Sequence, residues 1–394
     1  MSVLEPPVEV RLSARLARAL APGQPLRWTI LVYLSSRLLL LAVAVAAAGI
    51  AHTSLASELG RWDGTWYMQL ASTGYPRHPS SVPSTLGFFP LYPLVIWLTV
   101  HAPGPPNSAL LAGLLVSCAG GLVATVLVGR LAAAWWGEGS GRRAVLLFCF
   151  FPGSIVFSMV YAEGLLIPLA AGCLLALERR RWVLAGSLAG VATAVAPDAV
   201  VLVVVCALCA ARELRAHGWR SRQARRSLLA PALSGVGISA FAVFLWVWTG
   251  TPFATLQAQR DGWGESVDPL ALARHARLLA HDLSGVGLGR PDVYAGHVAA
   301  LLGALFLLAG VALLLRRPRL VSVEAMALTL GVGCLALVSE NVPPNPRLLI
   351  TAFPVVLVFA HRFRMPAYRW LLASSTLLLV LTSGLTYGSR WLTP

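Results

Sequence analysis

The sequence predicts an all-α, polytopic membrane protein with about 10–12 transmembrane helices, and three observations carry that prediction. Apolar residues make up 57% of the 394 and charged residues only 12%. Apolar runs approaching the roughly 20 residues that cross a bilayer recur along the chain. Arginines gather in short connections between those runs, where positive charge holds loops on the cytoplasmic side. So little chain lies outside the apolar runs that no large soluble domain fits beside them.

Residues 1–26 form an arm bearing Arg11, Arg15 and Arg18. It reads as a cytoplasmic amphipathic lead-in without a cleavable signal peptide. One transmembrane domain follows over 27–394. Its candidate spans are 27–51, 108–134, 144–160, 161–177, 182–211, 227–249, 297–315, 321–338, 347–361 and 368–386. The basic connections are Arg142/Arg143, Arg179–Arg181, Arg212–Arg226, Arg316–Arg319 and Arg362–Arg369. Placing all of them in the cytoplasm requires the run 182–211, basic at both flanks, to be two short helices broken at Pro197. It also makes 88–100 a re-entrant or juxtamembrane segment. The alternative lets 88–100 span and flips the sides of the segments after it. Under the first scheme the first long loop (52–107), the second (250–296) and the turn Ser339–Pro346 share the outer face. Asp63, Glu163 and Arg347 fall at that face. No internal repeat is evident, which weighs against an inverted-repeat transporter.

The net charge of +15 comes from arginine alone, because the chain has no lysine. Arginines confined to short loops between apolar runs make a topology signal rather than a nucleic-acid surface. All six cysteines sit inside apolar runs, so the Cys206/Cys209 spacing reads as small core residues rather than a metal or redox site. The eight histidines form no metal-binding pattern. No metal or cofactor is therefore assigned; a divalent ion near His78, His281 or His297 lacks support. The outer loops hold neither a DxD motif nor a phosphate-cradling Gly-rich loop.

The stretch RWDGTWYMQLASTGYP, 61–76, concentrates the chemistry. It sets Asp63 among Trp62, Trp66 and Tyr67 just beyond the first apolar run. Residues 64–73 read as a short helix stopped by Gly74 and Pro76. Asp63 either caps that helix while the tryptophans anchor it in the headgroup belt, or acts as a catalytic carboxylate beside sugar-stacking aromatics. Glu163, at the junction of two apolar runs, is costly unless it faces water or a partner. Arg347 follows the rigid VPPNP turn, where a guanidinium can grip a phosphate through two hydrogen bonds or snorkel to the interface. Arg260 is a second candidate for phosphate, and Trp263 a sugar platform or headgroup anchor. Asp198 is ionisable at membrane depth and is explained by pairing with an arginine of another helix.

RWDGTWYMQLASTGYP followed by GFFPLYPLVIWL resembles the opening of the bacterial relatives of the second GPI mannosyltransferase, integral-membrane glycosyltransferases of the GT-C type. Looser matches are FPGSIVFSMVYAEGLL at 151–166, TPFATLQAQRDGWGES at 251–266, NPRLLITAFP at 345–354 and the closing Gly388–Trp391. The chain departs from that pattern at ATAVAPDAV, where Ala196 replaces an expected arginine. The resemblance implies a GT-C-like fold whose long first extracytoplasmic loop carries short juxtamembrane helices and a catalytic carboxylate, at Asp63 here. It implies a mannosyltransferase that uses a polyprenyl-phosphate sugar donor and a glycolipid, glycan or protein acceptor. Asp63 would be the general base and the reaction inverting. Arg347 and Arg260 would bind the donor phosphate. Trp62, Trp66, Tyr67, Glu163 and Trp263 would contact substrate, at the outer face of the inner (plasma) membrane. The other classes to weigh are a lipid-linked sugar transporter or flippase and a catalytically silent subunit of a glycosyltransferase complex.

Overall fold

A computed structural model describes residues 26–104, 106–281, 284, 291–317, 319–340, 342, 344–389 and 392–394, with backbone alone for 291–294. The arm over 1–25, with Arg11, Arg15 and Arg18, and Trp391 at the close lie outside the described residues.

The described chain is a bundle of helices. In order they are α1 (Leu26–Ala51), α2 (Leu55–Leu59), α3 (Asp63–Thr73), α4 (Leu91–His101), α5 (Ala109–Trp136), α6 (Glu138–Cys149) and α7 (Glu163–Glu178). Then come α8 (Trp182–Ala192), α9 (Val200–His217), the broken α10 (Arg222–Thr249), α11 (Ala271–His281) and α12 (Pro291–Arg316). The last are α13 (Val323–Val338), α14 (Pro346–Thr351), α15 (Phe353–Arg362) and α16 (Met365–Gly388). Among the described residues the extended pairing is limited to an isolated bridge between Val267 and Ser339. Large apolar side chains stay exposed along α1, α5, α10, α12 and α16, as expected of helices whose outer faces meet lipid. The protein is a multi-pass, all-α membrane protein.

By length and composition five of these helices cross a bilayer outright, or six with one bent pair counted as a span. The higher count predicted from sequence is reached only by adding shorter helices. The expected break at Pro197 is present: α8 ends at Ala192, a tight turn covers Pro197–Ala199, and α9 starts at Val200. The segment 88–100 becomes the 11-residue α4, about 16 Å long and near half a hydrocarbon core. Two expected spans are interrupted: 347–361 breaks at Ala352, between α14 and α15, and 144–160 is a bent pair that counts as one span only with its bend included. The run 144–160 is not a continuous helix, because α6 stops at Cys149 and a 3-10 segment, Pro152–Ser158, turns away by 71°. Pro152 causes this: it lacks an N–H and forces Phe151 into an extended conformation.

Two close approaches organise the bundle. The backbones of α5 and α7 touch at small residues, so closely that a Cβ on Gly164 would lie 2.5 Å from the Ser117 Cα. Packing of that kind is how helices associate where lipid removes the hydrophobic drive between them. Ser117 then ties the seam to the start of α7: its Oγ donates to the Tyr161 carbonyl at 3.0 Å and accepts from the Tyr161 N–H at 3.2 Å. The second approach joins the 3-10 segment to α14, where a Cβ on Gly153 would lie 2.0 Å from the Pro346 carbonyl oxygen.

Arg37, buried at 8% exposure in the middle of α1, fixes that 3-10 segment. Its guanidinium donates to the Ser154 carbonyl at 2.6 Å, Ser158 Oγ at 2.9 Å and Ser154 Oγ at 3.1 Å. It also lies over the Tyr33 and Phe157 rings. The turn after Pro152 frees backbone carbonyls inside the membrane, and Arg37 satisfies them.

Gly164→Ala is expected to lower the melting temperature of the detergent-solubilised protein, at a cost of about 1–3 kcal/mol from overpacking. Gly139→Ala, which meets nothing within 4 Å, is expected to leave it unchanged or slightly raised. Equal melting temperatures for the two variants would contradict the α5–α7 seam as described.

Candidate active site

The site starts with a strained residue. Trp62 has φ 61° and ψ −130°, a region that side chains rarely occupy, immediately before the first residue of α3. Its neighbours hold it there. The Trp62 indole donates to the Thr386 carbonyl at 3.3 Å, and Arg61 donates to the Tyr387 and Ser389 carbonyls at 2.7 and 3.0 Å. Arg61 also pairs at 2.9 Å with the fully buried Glu58. The first loop is thus anchored on the end of α16, and the turn at Trp62 projects Asp63.

Asp63 is the first residue of α3 and does not cap it; the capping position belongs to Trp62, whose side chain makes no capping bond. The Asp63 carboxylate is instead engaged by Arg347. Arg347 NH1 donates to Asp63 Oδ2, and its Nε stands 3.1 Å from Glu163 Oε1, close enough for an ion pair though not aligned as a hydrogen bond. Arg347 also lies over the Tyr161 ring, 5.5 Å from its centre. Asp198, on the turn between α8 and α9, sits within electrostatic range of Arg347 and Glu163 without a direct ion pair. The arginine pairing expected for Asp198 is not found as a direct ion pair among the described residues; Arg347 is the cation that influences it through space.

Each charge arrives on a different element. α3 brings Asp63, α7 brings Glu163 as its first residue, and α14 brings Arg347. α14 is capped by Asn345, whose side chain accepts from the Leu348 N–H at 3.0 Å, with Pro346 as first residue. The second long loop braces the turn before it. Asp268 N–H donates to the Val338 carbonyl at 2.7 Å, Glu340 N–H to the Ser266 carbonyl at 3.0 Å, and Ser339 Oγ to Glu265 at 2.6 Å. Arg274 and Ser266 both donate to the Glu340 carboxylate, which holds it below the usual carboxylate range, with the Ser266 bond the larger cause.

Aromatic rings line the outer side of α3. Trp66 stacks on Phe88 at 6.1 Å between ring centres and meets Trp263 edge-on at 5.0 Å. The Trp263 indole donates to the Ser84 carbonyl at 3.4 Å, and Gln259 donates to the Gly87 carbonyl at 2.8 Å, so the second long loop closes on the first. Tyr67 is buried edge-on against Phe88 and Tyr92. Burial raises its phenol pKa, with the Asp63 and Glu163 carboxylates adding and Arg347 opposing, so its hydroxyl stays protonated.

The sequence-predicted residues therefore separate into groups. Asp63, Glu163 and Arg347 form one ion cluster, with Asp198 beside it. Trp66 and Trp263 form an aromatic wall, and Tyr67 packs beneath it. Trp62 faces α16. Arg260 is exposed on the turn Ala258–Gly262, with no ion-pair or hydrogen-bond partner among the described residues, and the structure does not draw it into the cluster. Sequence reasoning passed over Arg37, which positions the 3-10 segment against α14; a lone arginine within an apolar run was its signal. Among the described residues no group of three His, Cys, Asp or Glu side chains is arranged to hold a metal ion.

No family model matches the chain. A stretch of 115 residues, 27% of the chain, is 34% identical to GPI mannosyltransferase 2 of Drosophila pseudoobscura pseudoobscura. The match takes in 24% of that relative, so the chain spans about a quarter of its length. The apo crystal structure of the Archaeoglobus fulgidus oligosaccharyltransferase is similar over 89% of this chain and 56% of its own, with a TM-score of 0.48 and 12% identity.

Replacing Arg347 by Ala leaves two carboxylates around a lost cation, and the expected destabilisation is on the order of 3 kcal/mol. Adding Glu163→Gln to that variant removes one unpaired charge and is expected to recover part of the loss. A double variant no more stable than Arg347→Ala would break the coupling inferred from the 3.1 Å approach.

Proposed function

We propose that the protein is a membrane glycosyltransferase that moves a mannosyl group from a polyprenyl-phosphate donor to an extracytoplasmic glycolipid, glycan or protein acceptor. The observation that carries this reading is the pairing of Asp63 with Arg347, beside Glu163 and under the Trp66–Trp263 wall. The partial match to a GPI mannosyltransferase and the resemblance of the WDGTWY and FFPLYP patches point the same way.

The proposed step uses the pair as one device. Asp63 takes the proton of the acceptor hydroxyl as its oxygen bonds to the anomeric carbon. The bond from that carbon to the phosphate oxygen breaks on the opposite face, giving inversion, and its electron pair leaves on the phosphate. Protonation neutralises Asp63 and so dissolves its ion pair with Arg347. The guanidinium then turns to the phosphate oxygen that has just gained charge, where its forked donors suit it. Glu163 keeps Arg347 in place during the exchange and orients the acceptor. A phosphate is already a good leaving group, so one base suffices and no strong general acid is needed. Trp66 and Trp263 offer ring faces for the sugar, Tyr67 stiffens the wall beneath them, and Trp62 holds the loop. Arg260 meets the donor headgroup on approach.

The test is transfer of radiolabelled mannose from polyprenyl-phosphate mannose to membrane lipids by the purified protein and its Asp63→Asn variant. The variant is expected to lose about 10²–10⁴-fold in rate, the usual worth of a general base, while binding the donor at least as well because Arg347 is freed. Near wild-type transfer by Asp63→Asn would sink the assignment. Donor that changes leaflet without being consumed would favour transport instead.

A further inference from the structure

We propose that the arginine-rich end of the bundle, opposite Asp63, binds an anionic lipid with a phosphate headgroup from the surrounding bilayer. A cavity of about 680 Å³ opens there among the ends of α5, α7 and α9 and the starts of α8 and α13. A second, of about 340 Å³, adjoins it beside α10, and both are bordered by Arg180 and Trp182. α7 runs from Glu163 in the ion cluster to Glu178 in this cavity, about 22 Å away, so the two sites are separate. The inference is therefore independent of the transferase reading.

The charge is of the right sign, and part of it is uncommitted. Six arginines and three glutamates line the two cavities. The glutamates are already engaged: Glu213 by Arg180 at 3.3 Å and His217 at 3.4 Å, Glu324 by Arg212 at 2.9 Å, and Glu178 by the Trp135 indole at 2.5 Å. Arg215, Arg222 and Arg226 are exposed and have no partner among the described residues. Arg215 borders the larger cavity and Arg222 and Arg226 the adjoining smaller one, and free guanidiniums of this kind hold a phosphate group through paired hydrogen bonds.

The remaining lining says lipid rather than a soluble anion. Leu175, Leu177, Val321 and the Trp135 ring form an apolar wall that a free phosphate would leave unmatched. Val183 and Leu184 on α8 and Val204 and Leu208 on α9, the helices whose ends border the cavity, lie exposed and offer apolar surface that an acyl chain would cover. Trp182 is buried at 8% exposure and its indole nitrogen has no hydrogen-bond partner; a headgroup oxygen is the acceptor it lacks. Basic pockets between membrane helices bind anionic headgroups in this way.

The test is native mass spectrometry of the delipidated full-length protein titrated with phosphatidylglycerol, phosphatidylcholine or polyprenyl phosphate. Wild type is expected to retain one phosphatidylglycerol at least tenfold more tightly than phosphatidylcholine. The triple variant Arg215→Gln, Arg222→Gln, Arg226→Gln is expected to lose that preference with its melting temperature unchanged, since the three side chains are exposed and unpaired. Trp182→Phe, which keeps the ring and removes the N–H, is expected to weaken the same adduct. Tighter retention of polyprenyl phosphate, with the same dependence on the three arginines, would also support the site and name the carrier lipid as its source. Three results would overturn the proposal. They are equal binding of phosphatidylcholine, undiminished binding by the triple variant, and displacement of the lipid by millimolar inorganic phosphate, which would mark a site for a soluble ligand.

Discussion

The guanidinium of Arg347 is the point on which the Asp63 end of the molecule depends. It lies between a carboxylate from the first long loop and one from the start of α7, on a short helix held by a third piece of chain. No two of these parts are neighbours in sequence, so the electrostatic attraction does structural as well as chemical work. Arg347 and its two partners are mostly shielded from solvent, with side-chain exposures of 21%, 28% and 10%. A cation removed from such a place leaves its partners short of both water and countercharge, which is why the cluster holds or fails as a unit. Two carboxylates share one guanidinium, with Asp198 near them but making no ion pair.

That cluster depends on events deeper in the membrane. The α5–α7 seam brings α7 close enough for Ser117 to fix Tyr161, and Tyr161 in turn faces Arg347 and accepts a 3.4 Å contact from the Asp63 N–H through its hydroxyl. The Pro152 turn lets the 3-10 segment lie against α14 at Gly153, and Arg37 satisfies the carbonyls which that turn sets free. A buried arginine in a spanning helix is expensive unless every donor is used, and here the donors are used to stabilise a broken helix. The break is in this sense part of the site: a straight helix over 144–160 would carry its chain past α14 rather than beside it.

The two ends of α7 are built on opposite electrostatic plans. Glu163 enters a cluster in which carboxylates outnumber the cation, while Glu178 borders a cavity in which arginines outnumber glutamates. Arginine in the connections serves topology first, yet the same residues line a cavity once α8, α9 and α10 fold back on one another. A signal that is one-dimensional in sequence becomes a concave surface only through packing.

By itself the sequence determined the class and most of the cast. Apolar run lengths and the arginine connections gave an all-α membrane protein, and basic flanks on both sides of 182–211 required the break that Pro197 makes. The aromatic setting of Asp63, the cost of an acidic residue at Glu163 and the rigid turn before Arg347 each marked a residue by local chemistry. Local chemistry left one choice open, since a helix-opening aspartate can equally read as a cap when its partner lies 284 residues away. The tertiary structure alone decided that Arg347 reaches both Asp63 and Glu163, that Trp62 faces α16 while Trp66 and Trp263 make a wall, and that Arg260 stays apart. It also decided the bend after Cys149 and the use of Arg37, because which freed carbonyl meets which donor depends on helix crossings rather than on spacing along the chain. Hydrophobicity and charge are properties of residues and can be read one at a time; a shared guanidinium is a property of three chain segments at once.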